Sequence, residues 1–477
     1  MLKKNLPFFI AIILLVFFFF SKAFSVKFFL DDYSFLKISK ISNFGQFLNF
    51  FNPNKTYFYR PISTEVFYFF IRNNIFFGHM IVFLTYLIGL YFLFQIVQII
   101  FKNRALAMIT IFLYSISFSH VFQLYWFATY QEILVFTGLI ISFYLYLKSK
   151  YFLSLLFFVL ALFSKETAIL FSVFLLLFQL SNQFNRWHER KGSRLIIYFL
   201  LAFIFFFLYR YGVGAVTASE PTYHLQLNPK LIFNNFMWYS FWSLGIPNFF
   251  PDHMKSIFFV PLPSFWSFFK DFNFKAYLVF YIPYVLLLFT SIIVLAKKII
   301  KNKQLVTLFG FFILSFCLFI APTLPTIHKW MVRLTLPLIF VVLIQANLIY
   351  LLLTSGKKTK LLGIVILVLY FFWNFFGVKL HESTSTYFLE NRIVNNAGKY
   401  FEKNRKEIEK TKFIYFFDPK IDLNAWGESR KLENTFHGQN FLDYYFPGKK
   451  LTAIWGYKEK NIPKETYVIN SVDLLID

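Results

Sequence analysis

One cysteine, Cys317, occurs in 477 residues. It lies inside an apolar run, so neither an intrachain disulfide nor a cysteine-based metal site is available. No glycine-rich phosphate loop, internal repeat or low-complexity tract is present, which removes the common nucleotide-binding motifs and solenoid arrays. Charge is scarce at 15% of residues, and acids are scarcest: 23 Asp and Glu stand against 48 Lys and Arg. A formal charge of +25 in a soluble protein would point to nucleic acid. Here the basic residues fall in short breaks between apolar runs, where they set membrane topology, so no nucleic-acid partner is expected.

What the chain has instead is apolar and aromatic: 58% hydrophobic and 24% aromatic residues, with 75 Phe, exceed what a soluble core uses. This composition predicts an α-helical polytopic membrane protein whose first partner is the lipid bilayer. A window of about 20 residues gives about 11 transmembrane helices. Their limits are 6–24, 80–101, 105–123, 132–147, 151–164, 167–181, 195–212, 276–296, 304–321, 334–354 and 361–378. The break at Ser164-Lys165-Glu166 ends two spans or interrupts a re-entrant one. Lys3-Lys4, Lys102 with Arg104, Lys148 with Lys150, Arg186–Arg194, Lys297–Lys303 and Lys357–Lys360 then share one side, which the positive-inside rule makes cytoplasmic. The N-terminal run also has features of a signal peptide, but it is longer than a usual h-region and its removal would leave the following acids unanchored.

The opposite, extracytoplasmic side receives the residues that suggest chemistry. Asp31-Asp32, in the string FLDDY, follow the first span directly, and Tyr59-Arg60-Pro61 stand in the same loop. Ionisable groups at a membrane boundary are costly to desolvate and are usually retained for a partner or a reaction. An acid near a guanidinium suits an anionic, phosphate-bearing substrate. Residues 34–58 read as short interfacial amphipathic segments. The loop 213–275 carries Trp238, Trp242 and Trp266, read as headgroup anchors. From about residue 379 the composition turns polar. A helix over 387–411 and strands in KFIYFF, LTAIWGY and TYVIN predict a small extracytoplasmic soluble α/β module at 379–477, beside a transmembrane catalytic domain at 1–378.

The ordered strings DDY, YRPISTEVFYFFIRNNIFFGH, WFATYQEIL, FSKETAIL and VRLTLP resemble the pattern of the GT-C superfamily of membrane glycosyltransferases, especially its protein O-mannosyltransferase-like branch. The wording is similar to that of the tetratricopeptide-repeat-bearing transmembrane O-mannosyltransferases, although this chain has no helical repeats to follow. The resemblance spans about residues 1–350 and implies a GT-C-like fold and a multi-pass protein of the bacterial plasma membrane. It also implies transfer of a sugar from a polyprenyl-phosphate donor to an acceptor hydroxyl on a glycan, lipid or protein. In that pattern the first acid of the loop is the base, here Asp31. The neighbouring Asp32 falls where it would bind acceptor or a divalent cation such as Mg or Mn.

The residues agree with that chemistry. Sugar transfer needs a carboxylate to accept the hydroxyl proton and cations to stabilise the departing phosphate, and a single displacement inverts the anomeric carbon. Arg60, Lys165 and Arg333 are the expected phosphate ligands; Glu132, Glu166 and His328 are the expected acceptor or metal site. Each has a plainer reading. The acids suit helix capping, Arg60 snorkelling, Lys165 and Glu166 a loop ion pair, Glu132 a solvated acid, Arg333 an interface anchor, and His79 and His328 satisfied polar groups. Asn54-Lys55-Thr56 reads as an incidental sequon. The competing class is a lipid-linked oligosaccharide flippase or other transporter, which would place polar groups near the midplane and show repeat symmetry.

Overall fold

Apolar runs in this chain begin where a short polar side chain can close the first helical turn. Asn103 Oδ1 accepts from Leu106 N (3.0 Å), Asn302 Oδ1 from Gln304 N (3.0 Å), Asn74 Oδ1 from Phe77 N (2.9 Å) and Asp271 Oδ1 from Asn273 N (2.6 Å). Each thereby satisfies an amide that a helix start leaves unpaired. The computed structural model describes residues 2–53, 58–185, 194–213, 224–255, 260–384, 386–419, 428–459 and 461–475. The sequon Asn54-Lys55-Thr56, residues 186–193 of the basic break, and parts of the loop 213–275 lie outside the described residues.

Seven described helices are long and apolar enough to cross a membrane: Asn5–Ser25, Ile75–Phe101, Phe127–Leu147, Phe272–Lys301, Lys303–Thr323, Leu338–Ser355 and Lys357–Thr384. An eighth crossing is available if Arg104–Ser115 and Phe118–Tyr125, bent by 51°, count as one span. The expected count of eleven is therefore not reached on length and composition. Its spans at 151–164, 167–181 and 195–212 form the shorter helices Tyr151–Leu162, Glu166–Ser181 and Leu195–Tyr209.

The bend is held by side chains. Breaking the helix frees backbone groups that lipid could not satisfy. Tyr86 donates its hydroxyl to Tyr114 O (3.3 Å) and Ser115 O (3.2 Å), His120 Nε2 lies 2.9 Å from Tyr114 O, and Phe118 N donates to Asn374 Oδ1 (3.0 Å). All of these groups are buried.

The helices share one polar end. Phe18 stacks on Phe375 (5.6 Å), Phe19 meets Phe371 edge-on (5.3 Å), and Lys22 Nζ lies 3.6 Å from Glu382. The first and last long helices therefore run parallel, with their C-terminal ends together. His79 Nε2 lies 3.0 Å from Val26 O, and the Ser383 hydroxyl donates to Asp271 (3.2 Å), which brings the starts of Ile75–Phe101 and Phe272–Lys301 to the same end. At the far end lie the basic turns, where Lys298 Nζ donates to Ser355 Oγ (3.0 Å).

The C-terminal residues build a three-stranded parallel sheet from β1 (Phe413–Phe417), β2 (Thr452–Trp455) and β3 (Thr466–Asn470), in the order β2-β1-β3. Phe416 and Trp455 stack at 4.5 Å between neighbouring strands, and the helix Thr386–Lys403 supplies Phe401 to the same core. This unit sits on the loop that follows the first helix. Lys27 N donates to Asn391 Oδ1 (2.9 Å), Leu30 N to Thr435 O (2.8 Å), and the hydroxyls of Tyr33 and Tyr445 lie 3.3 Å apart.

Of the three expected tryptophan anchors, only Trp266 is exposed; Trp238 and Trp242 are buried. Their helix, Pro229–Ser243, is drawn inward because Asn235 donates to Leu324 O and Thr326 O (2.8 Å each).

Asn374→Leu should leave Phe118 N buried without its acceptor, at a cost of about 1–3 kcal/mol. Thermal unfolding in detergent should show a lowered midpoint. An unchanged midpoint would mean that the bend does not depend on this cap.

Candidate functional site

The acidic loop is built on a strained residue. Leu30 has φ +51°, a backbone region that L side chains rarely adopt, and it delivers the chain into the helix Asp31–Ile38. That turn sends the two adjacent acids opposite ways. Asp32 is fully buried: its Oδ2 accepts from Phe29 N (3.0 Å) and its Oδ1 from the Tyr68 hydroxyl. Phe29 is held in turn by Trp126, which stacks on its ring at 5.5 Å and donates its indole N–H to Phe29 O (3.3 Å). Burial pushes the Asp32 carboxyl up to about 8, although the bonds from Tyr68 and Phe29 N pull the other way. Asp31 faces outward with its side chain half exposed, and His437 Nε2 lies 3.3 Å from its Oδ1.

Arg60, Lys165, Glu132 and Glu166 form a second group. Arg60 grips Glu166 with two parallel bonds (Nε–Oε2 2.8 Å, Nη2–Oε1 2.7 Å) and donates through Nη1 to Gln131 Oε1 (2.6 Å). Lys165 is paired with Glu132, and both side chains are buried. Two cations thus meet two carboxylates, but not in the pairing the plainer reading expects: Lys165 takes the buried Glu132, which is no solvated acid, and Glu166 is the fork partner of Arg60. The turn after Arg60 is a wide π-helical one over Ile62–Val66, in which Val66 N reaches back five residues to Pro61 O (2.9 Å). It sets Arg60 on one group and Tyr68 on the other, so the segments 60–68 and 126–132 tie the two together.

A third group stands on the loop before Leu338–Ser355. Trp330 packs against Trp126 (5.4 Å) and His328 (5.5 Å), and its backbone N–H donates to the Tyr239 hydroxyl (3.2 Å). Arg333 Nη1 donates to Thr326 Oγ1 (3.3 Å). Burial, then the Arg333 charge, holds His328 down at about 4, so the ring is neutral near neutral pH. Burial lowers Lys329, and Asp252 opposes that shift. Of the three cations expected at one phosphate, Arg60 and Lys165 stand together and Arg333 stands with His328.

Sequence reasoning passed over Tyr68, Trp126, Trp330, Lys329 and His437 as site residues. Lys329 and Trp330 stand in the sequence as HKW, one residue before the VRLTLP string. His437 gave no signal, because its relation to Asp31 spans almost the whole chain. A divalent cation finds no ready donor set: both Asp32 oxygens accept hydrogen bonds, and among the described residues no three His, Cys, Asp or Glu side chains group as metal ligands.

The folded protein holds the Asp32 proton more tightly than the unfolded chain, in which the carboxyl titrates near 3.8. That contribution to stability is complete below about pH 4 and is lost as pH rises through about 8. Unfolding midpoints in detergent should therefore decline over this window, and Asp32→Asn should flatten the decline; parallel curves for the two proteins would contradict it. In the second group, Lys165→Met should cost about 3–5 kcal/mol by stranding Glu132, and adding Glu132→Leu should restore most of the loss. A double variant no more stable than the single one would show that the pair is not the unit.

No protein-family model and no curated protein matches this chain, so a functional reading rests on the geometry and on the sequence pattern.

Proposed function

We propose that this protein is a membrane glycosyltransferase of GT-C-like architecture, moving a sugar from a polyprenyl-phosphate donor to an acceptor hydroxyl with inversion. The observation that carries this reading is the paired arrangement at one end of the bundle. Asp31 is half exposed beside the buried Asp32, and a loop bearing Lys329 and Arg333 packs through Trp330 on Trp126, which also stacks on Phe29, the residue whose N–H bonds Asp32.

In the proposed reaction the acceptor hydroxyl gives its proton to Asp31 as its oxygen bonds to the anomeric carbon. The bond from that carbon to the donor phosphate breaks, and the electron pair leaves on the phosphate oxygen. Arg333 and Lys329 stabilise that charge, with more effect in a partly dry cleft than in water. Arg60 and Lys165, neutralised by Glu166 and Glu132, serve as scaffold for the loop and add to the phosphate field only at longer range.

Topology supports an extracytoplasmic site. Because the first and last long helices run parallel, the number of crossings from the first through the last is odd. Seven long helices and the bent pair make eight. Tyr151–Leu162 joins the basic turn after Leu147 to Lys165, and counting all three shorter helices as crossings gives eleven. The basic turns then face the cytoplasm, and Asp31 and the C-terminal sheet face outward. The sugar, its acceptor and the bacterial plasma membrane enter only through the sequence resemblance.

A transporter would use a broken helix to open a polar path at mid-membrane. Here the groups freed at the bend are bonded to Tyr86, His120 and Asn374, which favours a structural role for the break.

Asp31→Asn keeps the shape of the loop and removes the proton acceptor. Sugar release or transfer from a polyprenyl-phosphate donor should fall about 10²- to 10⁴-fold, while donor binding persists. Normal transfer by the variant would sink the mechanism. Lipid movement across vesicles without any sugar transfer would favour the transporter.

A further inference from the structure

Asp31 is met from far outside its own loop. His437 Nε2 lies 3.3 Å from Asp31 Oδ1, and His437 Nδ1 lies 3.0 Å from the side-chain amide nitrogen of Asn440. That nitrogen has only protons to offer, so Nδ1 accepts and the ring carries its proton on Nε2, pointed at the carboxylate. The backbone is committed to this contact. His437 has φ +52°, facing Leu30 at φ +51°, and the two strained turns are joined by the bond from Leu30 N to Thr435 O (2.8 Å). Thr435 is anchored in turn by its hydroxyl bond to Glu390. Non-glycine residues in such conformations are costly and persist where the surroundings over-determine them.

We propose that the C-terminal unit completes the catalytic centre, with Asn440 and His437 forming a hydrogen-bond relay that orients the Asp31 carboxylate. His437 is then a positioning residue. It keeps its own proton throughout, while the acceptor proton passes to Asp31, the acceptor oxygen bonds to the anomeric carbon and the phosphate leaves with the electron pair. The inference rests on the glycosyl-transfer reading and adds that the unit bearing His437 and Asn440 belongs to the site rather than standing apart as an accessory.

The test uses the full-length protein in phospholipid vesicles with a polyprenyl-phosphate hexose as probe. His437→Ala should lower kcat about 10- to 100-fold and leave the donor KM within about 2-fold, since misorientation touches turnover and not donor capture. His437→Gln places an amide N–H where the ring presented one and should retain activity within about 5-fold of the original. Unchanged kcat in His437→Ala, a loss confined to KM, or a Gln variant no better than Ala would overturn the relay. Ring nitrogen NMR gives a readout independent of turnover: His437 should be protonated on Nε2, and Asp31→Asn should move that resonance. Protonation on Nδ1, or a resonance indifferent to Asp31→Asn, also overturns it. If the original protein releases no sugar while the resonance responds to Asp31, the transferase reading fails and the contact itself stands.

Discussion

The burial of the Asp32 carboxyl is the constraint on which the candidate site depends. A carboxyl taken wholly out of water must be satisfied locally, and here Phe29 N and the Tyr68 hydroxyl do so while Trp126 holds Phe29 in place. Satisfying it fixes the turn at Leu30, and the turn fixes Asp31 pointing outward. Tyr68 is held by the segment that begins at Arg60, so the Arg60–Glu166 fork and the Lys165–Glu132 pair serve the same loop from its other side. Two adjacent acids that would repel in one environment are thus divided, one buried and one exposed.

The second constraint is the bilayer. With so little charge in the long helices, the polar groups are driven to the helix ends, and the caps, basic turns and acidic loop sort themselves between two faces. The bend between Ser115 and Phe118 is tolerated because Tyr86, His120 and Asn374 supply its hydrogen bonds from inside the protein. Positive-φ residues stand at both ends, Lys102 and Ser149 in the basic turns and Leu30 and His437 facing one another across the contact with the C-terminal unit.

Much of this was legible in the sequence, and the limits have physical causes. Apolar runs announced every long helix, since hydropathy needs no tertiary information. The helices Tyr151–Leu162, Glu166–Ser181 and Leu195–Tyr209 are apolar but shorter than a usual span, so hydropathy marks them without fixing whether each crosses. The strings around Arg60, Gln131 and Lys165 hold residues that the fold brings into contact, Arg60 with Gln131 and Glu166 and Lys165 with Glu132. What they could not reveal was partnership: Lys165 reads as a phosphate ligand until Glu132 is seen beside it. Trp238 and Trp242 carry the composition of headgroup anchors, and only the bonds from Asn235 to the 324–326 turn explain why they turn inward. His437 lay beyond sequence reasoning, because nothing local to it suggests an acid some four hundred residues earlier.

The central claim is that a lipid-linked phosphate is bound at the acidic end of the bundle, within reach of Asp31. The direct measurement is a structure of the full-length protein in lipid nanodiscs with polyprenyl phosphate bound. The account predicts phosphate density at ion-pair distance from Arg333 and Lys329, with the space between it and Asp31 open to a sugar. Phosphate density at the basic-turn end of the helices, or along a path through the bundle past His120 and Gln123, would contradict it.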